Sequence, residues 1–138
     1  MSSLVAYIDG SSRTDSSGIG VVIQHATGRR VEITEWVASS DNNYAEYAAL
    51  LAALEYAAAY GCPRLHVFSD SEVVVKQISG QYNCQSRALR QIYESCRAAI
   101  RSLEHFAITH IPRENNGDAN RLANTAAARR SRKVQKLF

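Results

Sequence analysis

Asp9, Glu46 and Asp70 stand where a carboxylate is hard to explain by local structure alone. Asp9 closes the apolar run LVAYI, and an Asp-Gly pair suits a turn. A two-residue hairpin would resume a strand at once, however, and here eight polar residues follow. Glu46 falls in the first turn of a helical pattern. Asn43-x-x-Glu46 resembles a capping box, and an acid there suits the helix dipole. Yet Glu46 precedes Leu50 and Leu54 by four and eight residues, which aims it near the core-facing side, where an uncompensated carboxylate is expensive. Asp70 ends the fourth β-type run and opens a helix, a position that suits an N-cap. If the strands that end at Asp9 and Asp70 are parallel neighbours, both acids emerge at the carboxyl edge of the sheet, where open α/β sheets place ligands. Three converging carboxylates offer oxygen ligands to a hard divalent cation.

The elements that must position these acids are legible as hydrophobic patterns. LVAYID (4–9), GIGVVIQH (18–25) and RVEITEWV (30–37) are short β-type runs, which read as an antiparallel meander. The polar stretch GSSRTDSS after Asp9 reads as a loop. NNYAEYAALLAALEYAAAYG (42–61) reads as a helix ended by Gly, with Tyr47, Leu50, Leu54 and Ala57 as its inward stripe. RLHVFSD (64–70) is a strand, and SEVVVKQISG (71–80) a short helix, although its Val run would also suit a strand. SRALRQIYESCRAAIRSLE (86–104) places Leu89, Ile92, Cys96 and Ile100 on one helical face. HFAITHIP (105–112) is a strand ended by proline, and GDANRLANTAAARR (117–130) a last helix. The order βββ-α-β-α-α-β-α predicts an α/β mixed sheet of five strands, three antiparallel and then two parallel, with helices on both faces.

The 138 residues suit one domain able to bury a real core. No apolar run reaches the ~20 residues of a membrane span, and the N-terminus lacks the pattern of a secretory signal. Cys62, Cys84 and Cys96 are odd in number and show no C-x-x-C spacing, as expected of thiols in a reducing cytoplasm. A net charge of +3 is mild, but residues 129–138, RRSRKVQKLF, gather Arg129, Arg130, Arg132, Lys133 and Lys136. We read residues 1–128 as the domain and 129–138 as a basic tail, either a solvated terminus or a strip for phosphate backbones.

Together, YIDGSS, DNNYAEYAALLAALEYA, FSDSEVVVKQISGQY and HIPRENNGDANRLAN resemble type 1 ribonuclease H, in its compact archaeal-like and bacterial branch. The resemblance spans nearly the whole chain, with the motifs in order. It implies the ribonuclease H-like fold and endonucleolytic hydrolysis of the RNA strand of RNA/DNA hybrids, leaving 5′-phosphate and 3′-hydroxyl ends. It implies two Mg²⁺ or Mn²⁺ ions, one activating water and one stabilising the departing 3′-oxygen. Asp9 would bridge both ions, with Glu46 and Asp70 holding the first. Gly10, Ser11, Asn42, Asn43 and Ser71 would bind substrate, in a minor groove whose 2′-hydroxyls tell RNA from DNA. In the loop before the last helix many relatives carry a mobile histidine. His110 sits beside Ile111 and Pro112, which limits its reach; in the archaeal-like branch an arginine fills the histidine's place, so the resemblance implies that role for Arg113, with a surface pair with Glu114 as its alternative.

The chain departs from the family pattern in its last helix. Anchored on Ala119, Leu122 and Ala123, the family register puts Asn120 where a fourth acid is usual, to offer a neutral oxygen to the second metal or to hold a metal-bound water. Asp118 falls two residues earlier, about 200° away around the helix, as a cap or first-turn acid. Asp41 stands where relatives often hold a DNA phosphate with a threonine, and an acid there would repel phosphate. The long basic handle of some bacterial members is missing from 81–87. The chain is expected to be a monomer with no membrane partner. The rival readings are a catalytically weakened or inactive hybrid-binding protein of the same fold, another nuclease of the superfamily, or a structural domain whose acids only cap helices.

Overall fold

A computed structural model describes residues 3–129 in full and residues 132–137 by their backbone. Three strands come first: β1 (Leu4–Ser12), β2 (Ser17–His25) and β3 (Arg30–Val37). Helix α1 (Asn42–Tyr60) leads to β4 (Arg64–Ser69), followed by α2 (Glu72–Ile78) and α3 (Arg87–Arg101). Strand β5 (His105–His110), a 3-10 turn (Arg113–Asn115), α4 (Gly117–Arg129) and β6 (Arg132–Leu137) complete the chain. The sheet order is β5-β4-β1-β2-β3-β6. β1, β2 and β3 pair antiparallel, whereas β4 and β5 run parallel to β1. The expected five-stranded mixed sheet is therefore present, with β6 added antiparallel to β3 at its edge.

Alternation along β1 divides the molecule into two layers. Leu4, Ala6 and Ile8 are buried in one core with Leu50, Leu54 and Ala57 of α1 and Leu89, Ile92 and Cys96 of α3. Burying each such Leu or Ile contributes about 1.5–3 kcal/mol. α1 is rich in alanine because it is covered by the sheet on one side and α3 on the other; its expected stripe, Tyr47, Leu50, Leu54 and Ala57, is buried throughout. Of the α3 stripe, Leu89, Ile92 and Cys96 are buried, and Ile100 packs partly exposed at the edge.

The opposite face carries α4, and glycine sets how closely it approaches. A Cβ on Gly20 would lie 2.2 Å from the Ala119 carbonyl oxygen, and one on Gly18 2.2 Å from Ala123 O and Ala127 N. The helix backbone thus rests directly on β2 at these two positions.

Several local expectations change. β1 does not stop at Asp9: Gly10, Ser11 and Ser12 continue the ladder with Ile19, Gly18 and Ser17. Only Arg13–Ser16 form the turn, closed by the Arg13 N–H donating to the Ser16 carbonyl. Polar residues here form strand because β2 offers backbone partners, which outweighs side-chain type. The α1 cap is Asp41, whose carboxylate accepts from the Asn43 and Tyr44 amides, so no Asn43–Glu46 capping box forms. Ser71, not Asp70, caps α2 by accepting from Val74 N–H. At the C-terminus, the backbone of residues 132–137 is a strand rather than a free tail. Arg130 and the side chains of Arg132, Lys133 and Lys136 lie outside the described residues.

Candidate metal centre

β1 and β4 stay paired only to Ile8 and Ser69, and the next residue on each strand is an acid. Asp9 and Asp70 thus flank the point where parallel neighbours part, the kind of crevice in which open sheets bind ligands. α1 supplies Glu46 from across the core. Its approach depends on Gly10, where a Cβ would lie 2.8 Å from Ala45 Cβ and Glu46 N. One carboxylate oxygen from each of Asp9, Glu46 and Asp70 lies within 4.8 Å of the other two.

Each acid is held by neighbours. The Gly10 N–H donates to Glu46 Oε1. Asn120 Nδ2 donates to Asp9 Oδ2 at 2.7 Å. Asn116, only 2% exposed, bridges two strands: its Nδ2 donates to the Ile8 carbonyl at 2.8 Å and to Asp70 Oδ2 at 3.1 Å. Glu46 Oε2 is buried with no hydrogen-bond partner. Burial pushes Glu46 well above the usual carboxylate range, and the charge of Asp9 adds to the rise. Burial also raises Asp9, opposed by the neighbouring Glu46 carboxyl and the Asn120 hydrogen bond and helped by the charge of Asp70. Protein alone therefore leaves this cluster undercompensated. All-oxygen donors, an orphaned buried oxygen and mutual repulsion fit a hard divalent cation.

The acids open on a cleft of about 240 Å³. Of the residues expected to bind substrate, Gly10, Ser11, Asn42 and Ser71 line it, and so do Arg113 and Asn120. Asn43 does not; its side chain is half-buried beside the cap of α1. Arg113 is exposed, and no ion pair with Glu114 or any other described acid involves it. His110 is exposed at the end of β5 and does not line the cleft. Asp118 faces elsewhere, with Arg30 at 2.9 Å and Arg121 at 3.5 Å. The Arg30 hydrogen bond holds its carboxyl below the ordinary range. Arg30 and Asp118 line a larger cleft of about 370 Å³ on the sheet face beside the start of α4.

Two asparagines are not singled out by the sequence. Asn116 falls inside the HIPRENN stretch that carries the family resemblance but has no role assigned from the sequence, because its reach to Ile8 and Asp70 depends on the fold. Asn124, one helical turn beyond Asn120, donates from Nδ2 to Asn120 Oδ1 at 3.2 Å and accepts from the Ser11 hydroxyl. Its four-residue spacing from Asn120 is the one signal the sequence offers.

Comparison with known proteins agrees with this architecture. Residues 7–126 match the family described as reverse transcriptase-like. Ribonuclease HI of Halobacterium salinarum is 36% identical over 124 residues, covering 88% of this chain and 62% of that protein. A bifunctional protein of Mycobacterium tuberculosis is 32% identical over 127 residues, covering 89% of this chain but 35% of its own. The chain thus spans under two thirds of the length of these curated relatives. The crystal structure of the Halobacterium salinarum RNase H1 superposes with a TM-score of 0.84 at 35% identity, covering 91% of this chain and 97% of that one. LC11-RNase H1, in complex with an RNA/DNA hybrid, gives a TM-score of 0.82 at 31% identity, with 91% and 96% covered. The chain belongs to the reverse transcriptase-like family, in its ribonuclease H type.

Proposed function

We propose that this protein is a metal-dependent endonuclease that hydrolyses the RNA strand of RNA/DNA hybrids, leaving 5′-phosphate and 3′-hydroxyl ends. The observation that carries this reading is the convergence of Asp9, Glu46 and Asp70 within 4.8 Å, at the strand parting of a ribonuclease H-type sheet. A relative of the same fold, LC11-RNase H1, is in complex with an RNA/DNA hybrid. Asp9, Glu46 and Asp70 would hold two Mg²⁺ or Mn²⁺ ions. Bound there, the ions supply the activation of water and the neutralisation of charge at the departing 3′-oxygen.

The chain's own residues supply position. Asn116 fixes the Asp70 carboxylate to the β1 backbone, and the Gly10 amide orients Glu46, so the acids are set before substrate arrives. Ser11, exposed Asn42 and Ser71 offer donors and acceptors along the cleft for ribose hydroxyls and base edges. Arg113 lines the cleft and makes no ion pair with a described acid, so its guanidinium is available to take a phosphate. Three buried, unpaired thiols suit a reducing compartment, so the reading includes a cytoplasmic location, and a monomer suffices because the cleft is built within one chain. Among the described residues no helix is long and apolar enough to cross a membrane.

The test is cleavage of matched, end-labelled RNA/DNA, RNA/RNA and DNA/DNA duplexes with Mg²⁺ or Mn²⁺. The expected result is internal cutting of the RNA in the hybrid, abolished by chelation and reduced at least about 10³-fold by Asp9→Asn. Binding without cutting would establish the non-catalytic reading, which the amide of Asn120 beside Asp9 favours. Trimming from the ends would place the chain among exonucleases.

A further inference from the structure

A line of polar side chains runs from the β1–β2 hairpin through α4 to the acids, and its hydrogen bonds all point one way. The Ser11 hydroxyl donates to Asn124 Oδ1. Asn124 Nδ2 donates to Asn120 Oδ1 at 3.2 Å, and Asn120 Nδ2 donates to Asp9 Oδ2 at 2.7 Å. Chemistry sets this polarity. An Asn120 amide turned the other way would bring its oxygen against a carboxylate oxygen at that 2.7 Å separation, two acceptors with no proton between them. With the nitrogen of Asn120 toward Asp9, its oxygen must look for a donor along the helix, and Asn124 supplies one. Asn124 in turn exposes its own oxygen to Ser11. The Arg13 guanidinium also reaches the Asn124 backbone carbonyl, at 3.4 Å, so the hairpin and helix meet at this residue.

We propose that Asn124, with Ser11, is a positioning residue that holds the Asn120 amide with its nitrogen toward Asp9, so that Asn120 serves the metal centre as a hydrogen-bond donor to Asp9 and not as an oxygen ligand. An amide N–H has no lone pair for a cation. Locked in this sense, position 120 steadies Asp9 and contributes no ligand, and the cations rely on the three carboxylates alone. This rests on the metal-dependent reading above and sharpens it, since it assigns the polarity of the neutral residue beside Asp9. The lock lies outside the acid cluster: Asn124 is exposed, so replacing it leaves the core intact.

The test is Mn²⁺ affinity measured by calorimetry on the full chain, for the wild type, Asn124→Ala, Asn120→Ala and the double variant, with Asp9→Asn as the site control and melting curves to verify folding. Releasing the lock lets the Asn120 oxygen turn to a bound ion, so Asn124→Ala is expected to tighten Mn²⁺ binding about fivefold, the worth of a typical hydrogen bond. In the Asn120→Ala background the same change should have no effect, because Asn124 acts only through Asn120. Ser11→Ala should shift affinity in the same direction by less. Weaker Mn²⁺ binding in Asn124→Ala would mean that Asn124 supports Asn120 as an oxygen ligand, and would overturn the proposal. Unchanged affinity, or an equal shift with and without Asn120, would overturn it too. Absence of any Asp9-dependent Mn²⁺ binding would overturn both this inference and the proposed function. Normal binding without hybrid cleavage would overturn the function alone, and the affinity comparison would still decide this point.

Discussion

Glu46 shows how one side chain ties stability to ligand. Its carboxyl is 2% exposed, one oxygen takes the Gly10 amide, and the other has no partner. Burial, followed by the charge of Asp9, raises its folded pKa well above the ordinary 4.5. The folded state then holds a proton that the unfolded chain has already released. The stabilising contribution of protonated Glu46 is fully present below about pH 4.5, the unfolded value, and is lost as pH rises through the folded value. Metal-free protein should therefore lose melting temperature on this account between pH 5 and pH 8. Mn²⁺ should restore it more at pH 8 than at pH 5, because the ion binds the carboxylate that low pH protonates. Glu46→Gln should melt higher than the wild type at pH 8 without metal, lose most of the Mn²⁺-induced rise, and fail to cut hybrid. Thermal melts at the two pH values, with and without Mn²⁺, read all of this. A metal-free melting temperature independent of both pH and the Gln substitution would show that Glu46 is ionised at no cost in the folded chain.

At the scale of elements, the strands and helices were largely legible because burial leaves a period in the sequence. Alternation marked the meander, the Ala- and Leu-rich stripe marked α1, and glycine marked its end. The junctions were less legible, since caps and ladder ends are chosen by neighbours absent from the local sequence. Asp41 rather than Asn43 caps α1, and Ser71 rather than Asp70 caps α2, which leaves Glu46 and Asp70 free to face the cleft. Polar Gly10–Ser12 are strand because β2 pairs with them. The acids could be singled out by their conflict with local roles, whereas Asn116 and Asn124 show no conflict until tertiary contacts exist. The seat of α4 was equally hidden. Gly18 and Gly20 let the helix backbone touch β2, and that contact brings Asn120 to Asp9. Gly20→Ala would place a methyl 2.2 Å from the Ala119 carbonyl oxygen, so the helix must lift or tilt. Destabilisation of about 1–3 kcal/mol is expected, as for overpacking generally. The Asn120 to Asp9 bond should loosen with it, so hybrid cleavage should fall even at temperatures where the variant remains folded. Full activity in a folded Gly20→Ala variant would separate the helix seat from the metal centre.

For the whole molecule, the sheet order decides what the last residues do. Charge alone left RRSRKVQKLF as either a solvated terminus or a strip for phosphate backbones. Its backbone nevertheless pairs with β3 from Glu35↔Arg132 to Arg30↔Leu137, and the register sets Arg132 opposite Glu35 and Gln135 opposite Glu32. In the order β5-β4-β1-β2-β3-β6, this strand lies three places from β1, about 14 Å from the acid-bearing strand at ~4.8 Å per step. A segment so placed covers an otherwise open edge and sits away from the cleft. Deleting residues 132–138 should therefore lower the melting temperature and expose the edge of β3, seen as concentration-dependent association in sedimentation. Hybrid binding to the catalytically silent Asp9→Asn protein should keep its dependence on salt. Were the segment to neutralise phosphates, its removal would flatten the slope of log affinity against log salt by about 0.9 for each phosphate released. A slope lower by two or more, with an unchanged melting temperature, would make the segment a phosphate clamp and its strand pairing incidental. A lower melting temperature with the slope intact would establish it as the closing strand of the sheet.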